Sequence, residues 1–121
     1  MLNRLAETLR VLVVLPRVEL GRIVQGPSPM LSELRALAKH RARRPFPQRH
    51  ELKKVIARVD ALMPGGGNCY RRSLLEIALD SGAAQDRLFM GLSANGGAKS
   101  GHAWLGSASD APSHYDAIFS L

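Results

Sequence analysis

The chain has 121 residues, of which 45% are hydrophobic and 22% are charged, and its formal net charge is +7. This length allows one domain with an adequate core, and this composition excludes a disordered chain. The single cysteine excludes an internal disulfide and a cysteine-rich metal site, so nothing requires an oxidising compartment and we expect a cytoplasmic protein. We also expect neither a metal nor another cofactor. The positive charge favours a negatively charged partner without specifying which kind.

The N-terminal segment, residues 1–26, predicts an amphipathic helix that packs on the core. Its apolar run, residues 11–15, is too short for a signal sequence, and Pro16 and Arg17 interrupt it. A membrane span needs about 20 apolar residues, which this segment does not have. We therefore expect no membrane partner.

Two further helices are predicted before the middle of the chain. Ser28 followed by Pro29 has the pattern of a helix cap with proline at the first helical position, and this helix extends to about Lys39. A basic stretch connects it to residues 48–63, where apolar residues recur at the spacing of a one-sided helix.

A fourth helix is predicted to follow the break formed by residues 64–67. Asn68 is a favourable N-cap, so Cys69 is expected in the first turn, and Gly82 is expected to end the helix. The inner face is predicted to carry Leu74, Leu75, Ala78 and Leu79.

The last third of the chain predicts an antiparallel sheet. Short apolar runs at residues 88–94, 101–105 and 115–121 are separated by turn-forming residues, notably at 95–97 and 107–112. Helices followed by antiparallel strands predict an α+β domain, with N-terminal helices packed on a small sheet.

Cys69 is the first candidate for chemistry. A thiol at a helix N-terminus is close to the positive end of the helix dipole and to unpaired backbone N–H groups, which favour the thiolate. The glycines before it leave room for a substrate chain to approach. The alternative is that Cys69 is a small buried apolar residue.

His102 is the second candidate. In Gly101-His102-Ala103-Trp104 the histidine and the tryptophan are two positions apart, so both side chains are expected on one face of a strand. From there an imidazole could reach a nucleophile on the packed helix. The alternative for His102 is an ordinary core or surface histidine.

These residues together resemble a known family. The segments 68–74, 88–92 and 102–105, with Gly82 between them, are similar to the transglutaminase-like B proteins of lasso-peptide maturation. Cys-x-x-Arg-Ser-Leu followed by His-x-Trp is specific as a combination, whereas each element alone is weak. The resemblance covers roughly residues 52–121.

The resemblance implies a papain-like or transglutaminase-like fold in one domain, residues 1–121, with a helical and basic lead-in at 1–50 and a catalytic core at 51–121. It implies a cysteine peptidase with a Cys-His-Asp triad that removes the leader from a ribosomally made precursor peptide. The chain shows no obvious leader-binding module, so a separate leader-recognition protein and a lasso cyclase are implied as partners.

The third triad residue departs from the family pattern, because His114 stands where relatives usually carry aspartate. Asp110, in Ser109-Asp110-Ala111-Pro112, matches the family's Asp-x-Pro segment if the final hairpin is shortened by two residues on each arm. Because strand side chains alternate with a period of two, such a deletion leaves each side chain on its original face of the sheet. It therefore predicts Asp110 on the strand next to His102. Asp116 is the alternative.

Two other functions remain open from the sequence. A basic nucleic-acid-binding module would use residues 39–54, although aromatic residues make up only 5% and no recognition motif is present; we therefore expect no nucleic acid. The same fold could also transfer the acyl group to an amine, because hydrolysis and transamidation share one thioester intermediate.

Overall fold

The computed structural model describes residues 2–41, 43–64, 67–93, 100–106 and 117–121. Within these ranges the chain forms five helices and a three-stranded antiparallel sheet, which confirms the α+β prediction at this level. The elements are α1 (Leu2–Val24), α2 (Pro27–Ala38), α3 (Phe46–Leu62), α4 (Cys69–Leu79), α5 (Ser81–Ala84), β1 (Leu88–Ser93), β2 (Ser100–Leu105) and β3 (Ala117–Ser120).

Helix α4 is the centre of the domain, since it packs against α1, α2, α3 and β2. Every residue from Ser73 to Leu79 is buried. The predicted inner face of this helix is confirmed, because Leu74, Leu75, Ala78 and Leu79 are all completely buried. Burying leucine-sized side chains contributes about 1.5–3 kcal/mol each, so the packing of α4 fixes the position of its N-terminal residue.

Helix α1 covers one side of the core, which confirms the prediction of an N-terminal helix that packs on the core. Val11 and Val18 are completely buried, and Gly21 lies against the side chain of Met30 in α2, where a larger residue would collide with the methionine. Across the residues that the structure describes, no helix combines the length and the apolar character needed to cross a membrane.

Three predicted helix boundaries were wrong. Helix α2 is capped by Gly26 and begins at Pro27, not after Ser28, because proline needs no hydrogen-bond partner for its nitrogen at the first helical position. Helix α3 starts earlier than predicted, at Phe46. Helix α4 ends at Leu79, not at Gly82, because the backbone of Asp80 is extended. The Asp80 side chain accepts a hydrogen bond from Gly82 N and so caps the next helix, α5, which contains Gly82.

The sheet has the order β2-β1-β3, with β1 in the middle. Gly91 of β1 pairs with His102 on one side and with Ile118 on the other. The expectation that the last two strands form one hairpin was therefore wrong, since β3 pairs with β1 and not with β2. The strand register therefore no longer supports the predicted position of Asp110 on a strand adjacent to His102.

Candidate active site

A cavity of about 290 Å³ lies between the helices and strand β2. Its walls include both Cys69 and His102, so the structure brings together the two predicted site residues that it describes. The third predicted residue, Asp110, and its alternative, Asp116, lie outside the described residues. The remaining lining residues are Lys53, Ile56, Ala57, Arg72, Ser73, Glu76, Ala103, Trp104 and Leu105.

Cys69 is the first residue of α4, as the sequence predicts. The predicted cap is also confirmed, because the Asn68 side-chain oxygen accepts a hydrogen bond of 3.0 Å from the backbone nitrogen of Arg71. An N-cap of this kind stabilises a helix by about 1 kcal/mol. The thiol is partly exposed and lines the cavity at the positive end of the helix dipole.

The Cys69 sulfur also contacts the strand that carries the histidine. Its Sγ accepts a hydrogen bond of 3.2 Å from the backbone nitrogen of Ala103. Strand β2 is at the edge of the sheet, so this amide can point away from β1 and towards α4. Within the described part of the chain, the thiol's hydrogen-bonding partner is thus the amide next to His102 rather than the imidazole itself. A backbone N–H in this position would stabilise negative charge on the sulfur.

His102 is held by aromatic stacking. Its ring stacks on Trp104 with the centroids 5.8 Å apart, and Trp104 stacks on Phe89 of β1 at 5.7 Å. The predicted common face of His102 and Trp104 is therefore confirmed. Gly91 of β1 is paired with His102 and has no side chain, so no cross-strand side chain packs directly beside the imidazole at this pair.

A buried carboxylate that sequence reasoning missed fixes the start of α4. Asp60 of α3 is only 1% exposed, and its side chain accepts hydrogen bonds from Arg71 Nε at 2.7 Å and from the backbone nitrogen of Asn68 at 2.9 Å. Arg71 is equally buried and also contacts Glu19 of α1 at 3.3 Å. The charge of Arg71 is thus matched by two carboxylates, so Arg71 adds little positive potential to the site.

The sequence did contain a feature that could have identified Asp60. Position 60 continues the apolar series of α3 at helical spacing, four residues after Ile56, where a core residue is expected. A charged residue on the buried face of a helix requires a partner. Arg72, in contrast, keeps an exposed side chain at the cavity, with its Nε 3.5 Å from Asp60.

Glu76 is a second buried acid that sequence reasoning missed. It lies two turns after Cys69 on α4 and lines the same cavity. Burial raises its pKa above the ordinary value of 4.5, although Lys53 and Arg49 act in the opposite direction. The Glu76 carboxylate lies 3.3 Å from Arg49 and 3.7 Å from Lys53, which places it inside an ion-pair cluster.

The basic stretch at residues 39–54 is partly used within the fold. Arg44 lies 2.8 Å from Glu7 and donates a hydrogen bond to the carbonyl of Leu79 at the C-terminal end of α4. Arg49 contacts Glu76 and also Asp86, the latter at 3.0 Å. These contacts neutralise two of the arginines that a nucleic-acid interface would need, because such interfaces depend on cations left available for phosphates.

Among the described residues, no group of three or more histidine, cysteine, aspartate or glutamate side chains is placed to hold a metal ion. No family model, no curated protein and no solved structure matches this chain.

Proposed function

We propose that this chain is a cysteine peptidase with a papain-like or transglutaminase-like fold, which removes the leader from a lasso-type precursor peptide. One observation carries the proposal. A thiol at a helix N-terminus shares a cavity with a histidine on an adjacent strand, and the amide next to that histidine donates to the sulfur. Cys69 is the proposed nucleophile and His102 the proposed acid and base.

In the first step the Cys69 sulfur attacks the carbonyl carbon of the scissile peptide bond, while His102 holds the thiol proton. The carbonyl oxygen becomes an oxyanion, for which the backbone N–H of Cys69 at the start of α4 is a suitable donor. The C–N bond then breaks as His102 donates its proton to the leaving amine. The product is a thioester between Cys69 and the leader.

In the second step water attacks the thioester carbonyl, and His102 accepts a proton from that water. The carbon–sulfur bond breaks, the leader leaves with a new carboxylate, and the thiol is restored. The alternative with an amine in place of water would give an amide product from the same thioester. Both outcomes use the same nucleophile and the same acid and base, so the identity of the product decides between them.

Asp110 is the proposed third member of the triad, with Asp116 as the alternative. The support for Asp110 is its match to the family's Asp-x-Pro segment, since the strand order no longer supports the hairpin argument. A carboxylate that accepts a hydrogen bond from His102 would orient the imidazole towards Cys69 and stabilise the imidazolium. Asp110→Ala is expected to slow cleavage by orders of magnitude, and Asp116→Ala is expected to stay close to wild type.

The test is cleavage of the precursor in water enriched in ¹⁸O, with the separate leader-recognition protein present and absent. Hydrolysis predicts a leader whose new carboxylate carries the heavy isotope, and a rate that rises when the leader-recognition protein is added. Cys69→Ala is expected to abolish the reaction while the circular dichroism spectrum is unchanged. Cleavage retained in Cys69→Ala would refute the peptidase, and an amide product without the isotope would indicate transamidation.

A further inference from the structure

Helix α1 carries a second apolar surface that nothing in the described structure covers. Its inner face supplies buried core residues, yet seven large apolar side chains on its outer side are between 47% and 77% exposed. We call these residues the α1 outer face. They are Leu5, Leu9, Leu12, Val13, Leu20, Ile23 and Val24.

A patch of this kind needs an explanation, because single exposed apolar residues are common on soluble proteins but contiguous apolar patches mark interaction sites. Positions 5, 9, 12, 16, 20 and 23 follow one another at intervals of three or four residues, so they form one continuous stripe. From Leu5 to Ile23 the stripe is about 27 Å long at the rise of an α-helix.

The stripe is symmetric about the middle of the helix. Leu5 and Ile23 are equally far from Val14, as are Leu12 and Pro16, and the midpoint of Leu9 and Leu20 is next to it. Two copies of α1 packed antiparallel would therefore bring Leu9 of each copy against Leu20 of the other. A two-fold interface requires such self-complementarity, because the same surface is used on both sides.

The charges beside the stripe are compatible with this pairing. Arg10 is ion-paired with Glu7, which it shares with Arg44, and Arg17 is ion-paired with Glu33, so each of these arginines has a carboxylate partner within its own copy. Long-range repulsion between two chains of charge +7 remains, and added salt would screen it.

We propose that the α1 outer face binds a second copy of this chain, so that the protein is a two-fold dimer through antiparallel α1 helices. A standard interface buries about 800 Å² on each partner, and seven half-exposed or more exposed leucine, isoleucine and valine side chains provide a surface of this order. Because the interface is apolar and the partners repel each other, the dimer is expected to become tighter as salt concentration rises, opposite to binding of nucleic acid.

The test is sedimentation equilibrium of the full chain at low and high salt. Wild type is expected to be a dimer, and Val13→Glu is expected to raise the dimer dissociation constant at least about tenfold, because the two new carboxylates meet near the two-fold axis. Leu62→Glu on α3 is the matched control, since Leu62 is 87% exposed outside the stripe and its change should leave the dimer intact. An equimolar mixture of Val13→Glu and Val13→Lys is expected to restore the dimer, because opposite charges then meet at the interface.

Several outcomes would overturn the dimer. One is a monomer in wild type at all concentrations and salts, and another is an equal effect of Leu62→Glu. A monomeric wild type that binds anionic phospholipid vesicles through the α1 outer face would assign this surface to a membrane. A monomer that binds the leader-recognition protein, and loses that binding in Val13→Glu, would assign it to that protein.

Discussion

The two walls of the Cys69 cavity hold their functional side chains by different means. On the helix wall, Cys69 is fixed by a capped helix terminus, by the buried pair of Asp60 and Arg71, and by an amide from the opposite strand. On the strand wall, the His102 ring is held by stacking on Trp104. The thiol position therefore depends on buried polar contacts, whereas the imidazole position depends on aromatic packing on strand β2.

The largest effect is expected on the helix wall, from Asp60→Ala. This change removes the Asp60 carboxylate from the buried Arg71, and breaking a buried ion pair in this way costs about 3–5 kcal/mol. Glu51→Ala is the control, because its ion pair with Arg4 is exposed on both sides and should cost less than about 1 kcal/mol. Urea unfolding measures both values. Similar losses for the two variants would mean that Asp60 does not fix the helix start.

A smaller effect, confined to catalysis, is expected on the strand wall from Trp104→Leu. Loss of the stacking surface lets the His102 ring move, and a misplacement of about 1 Å can reduce turnover on the order of a hundredfold. Trp104→Phe keeps an aromatic face and should retain most of the activity.

The readout for Trp104 is kcat for precursor cleavage, measured together with KM. A fall in kcat with KM little changed would indicate that Trp104 positions the histidine. If Leu and Phe at this position reduced kcat equally, in proportion to lost stability, Trp104 would be a core residue and nothing more.

The smallest effect expected is on the pH dependence of stability, where the partly exposed Glu19 and the buried Glu76 act in opposite directions. Arg22 and Arg71 lower the pKa of Glu19 below 4.5, although burial opposes them. The contribution of Glu19 to folding stability is therefore present above pH 4.5 and is lost as pH falls through its folded-state pKa. Burial raises the pKa of Glu76 above 4.5. The contribution of Glu76 to folding stability is therefore present below pH 4.5 and is lost as pH rises through its folded-state pKa.

The two contributions can be separated by substitution. Glu76→Gln is expected to remove the fall in unfolding free energy that begins above pH 4.5, while Glu19→Gln is expected to flatten the loss at lower pH. Denaturant unfolding between pH 3 and pH 7 measures both. A Glu76→Gln profile parallel to wild type would show that the glutamate titrates normally.

The parts of the site that the sequence predicts are those set by local patterns. Asn68 before an apolar helical series predicts both the cap and the place of Cys69, because capping depends on residues within one turn. His102 and Trp104 share a face because strand side chains alternate. These features require no knowledge of distant contacts.

The features that the sequence did not predict depend on distant parts of the chain. The place of Asp60 in the apolar series of α3 indicates a buried charge, but nothing local identifies Arg71, on another helix, as its partner. The order β2-β1-β3 depends on which strand occupies the centre, which turn residues do not determine. The predicted start of α2 was wrong because Pro27 and Pro29 both suit a first helical turn, so the sequence pattern does not distinguish them.

The most direct test of the central claim uses the fact that Cys69 is the single cysteine of the chain. Iodoacetamide is added in steps, the alkylated fraction is measured by intact mass, and the residual rate of precursor cleavage is measured on the same samples. If Cys69 is the nucleophile, the rate falls in direct proportion to the alkylated fraction and reaches zero at one label per chain. Cleavage that persists in fully alkylated protein would contradict the account.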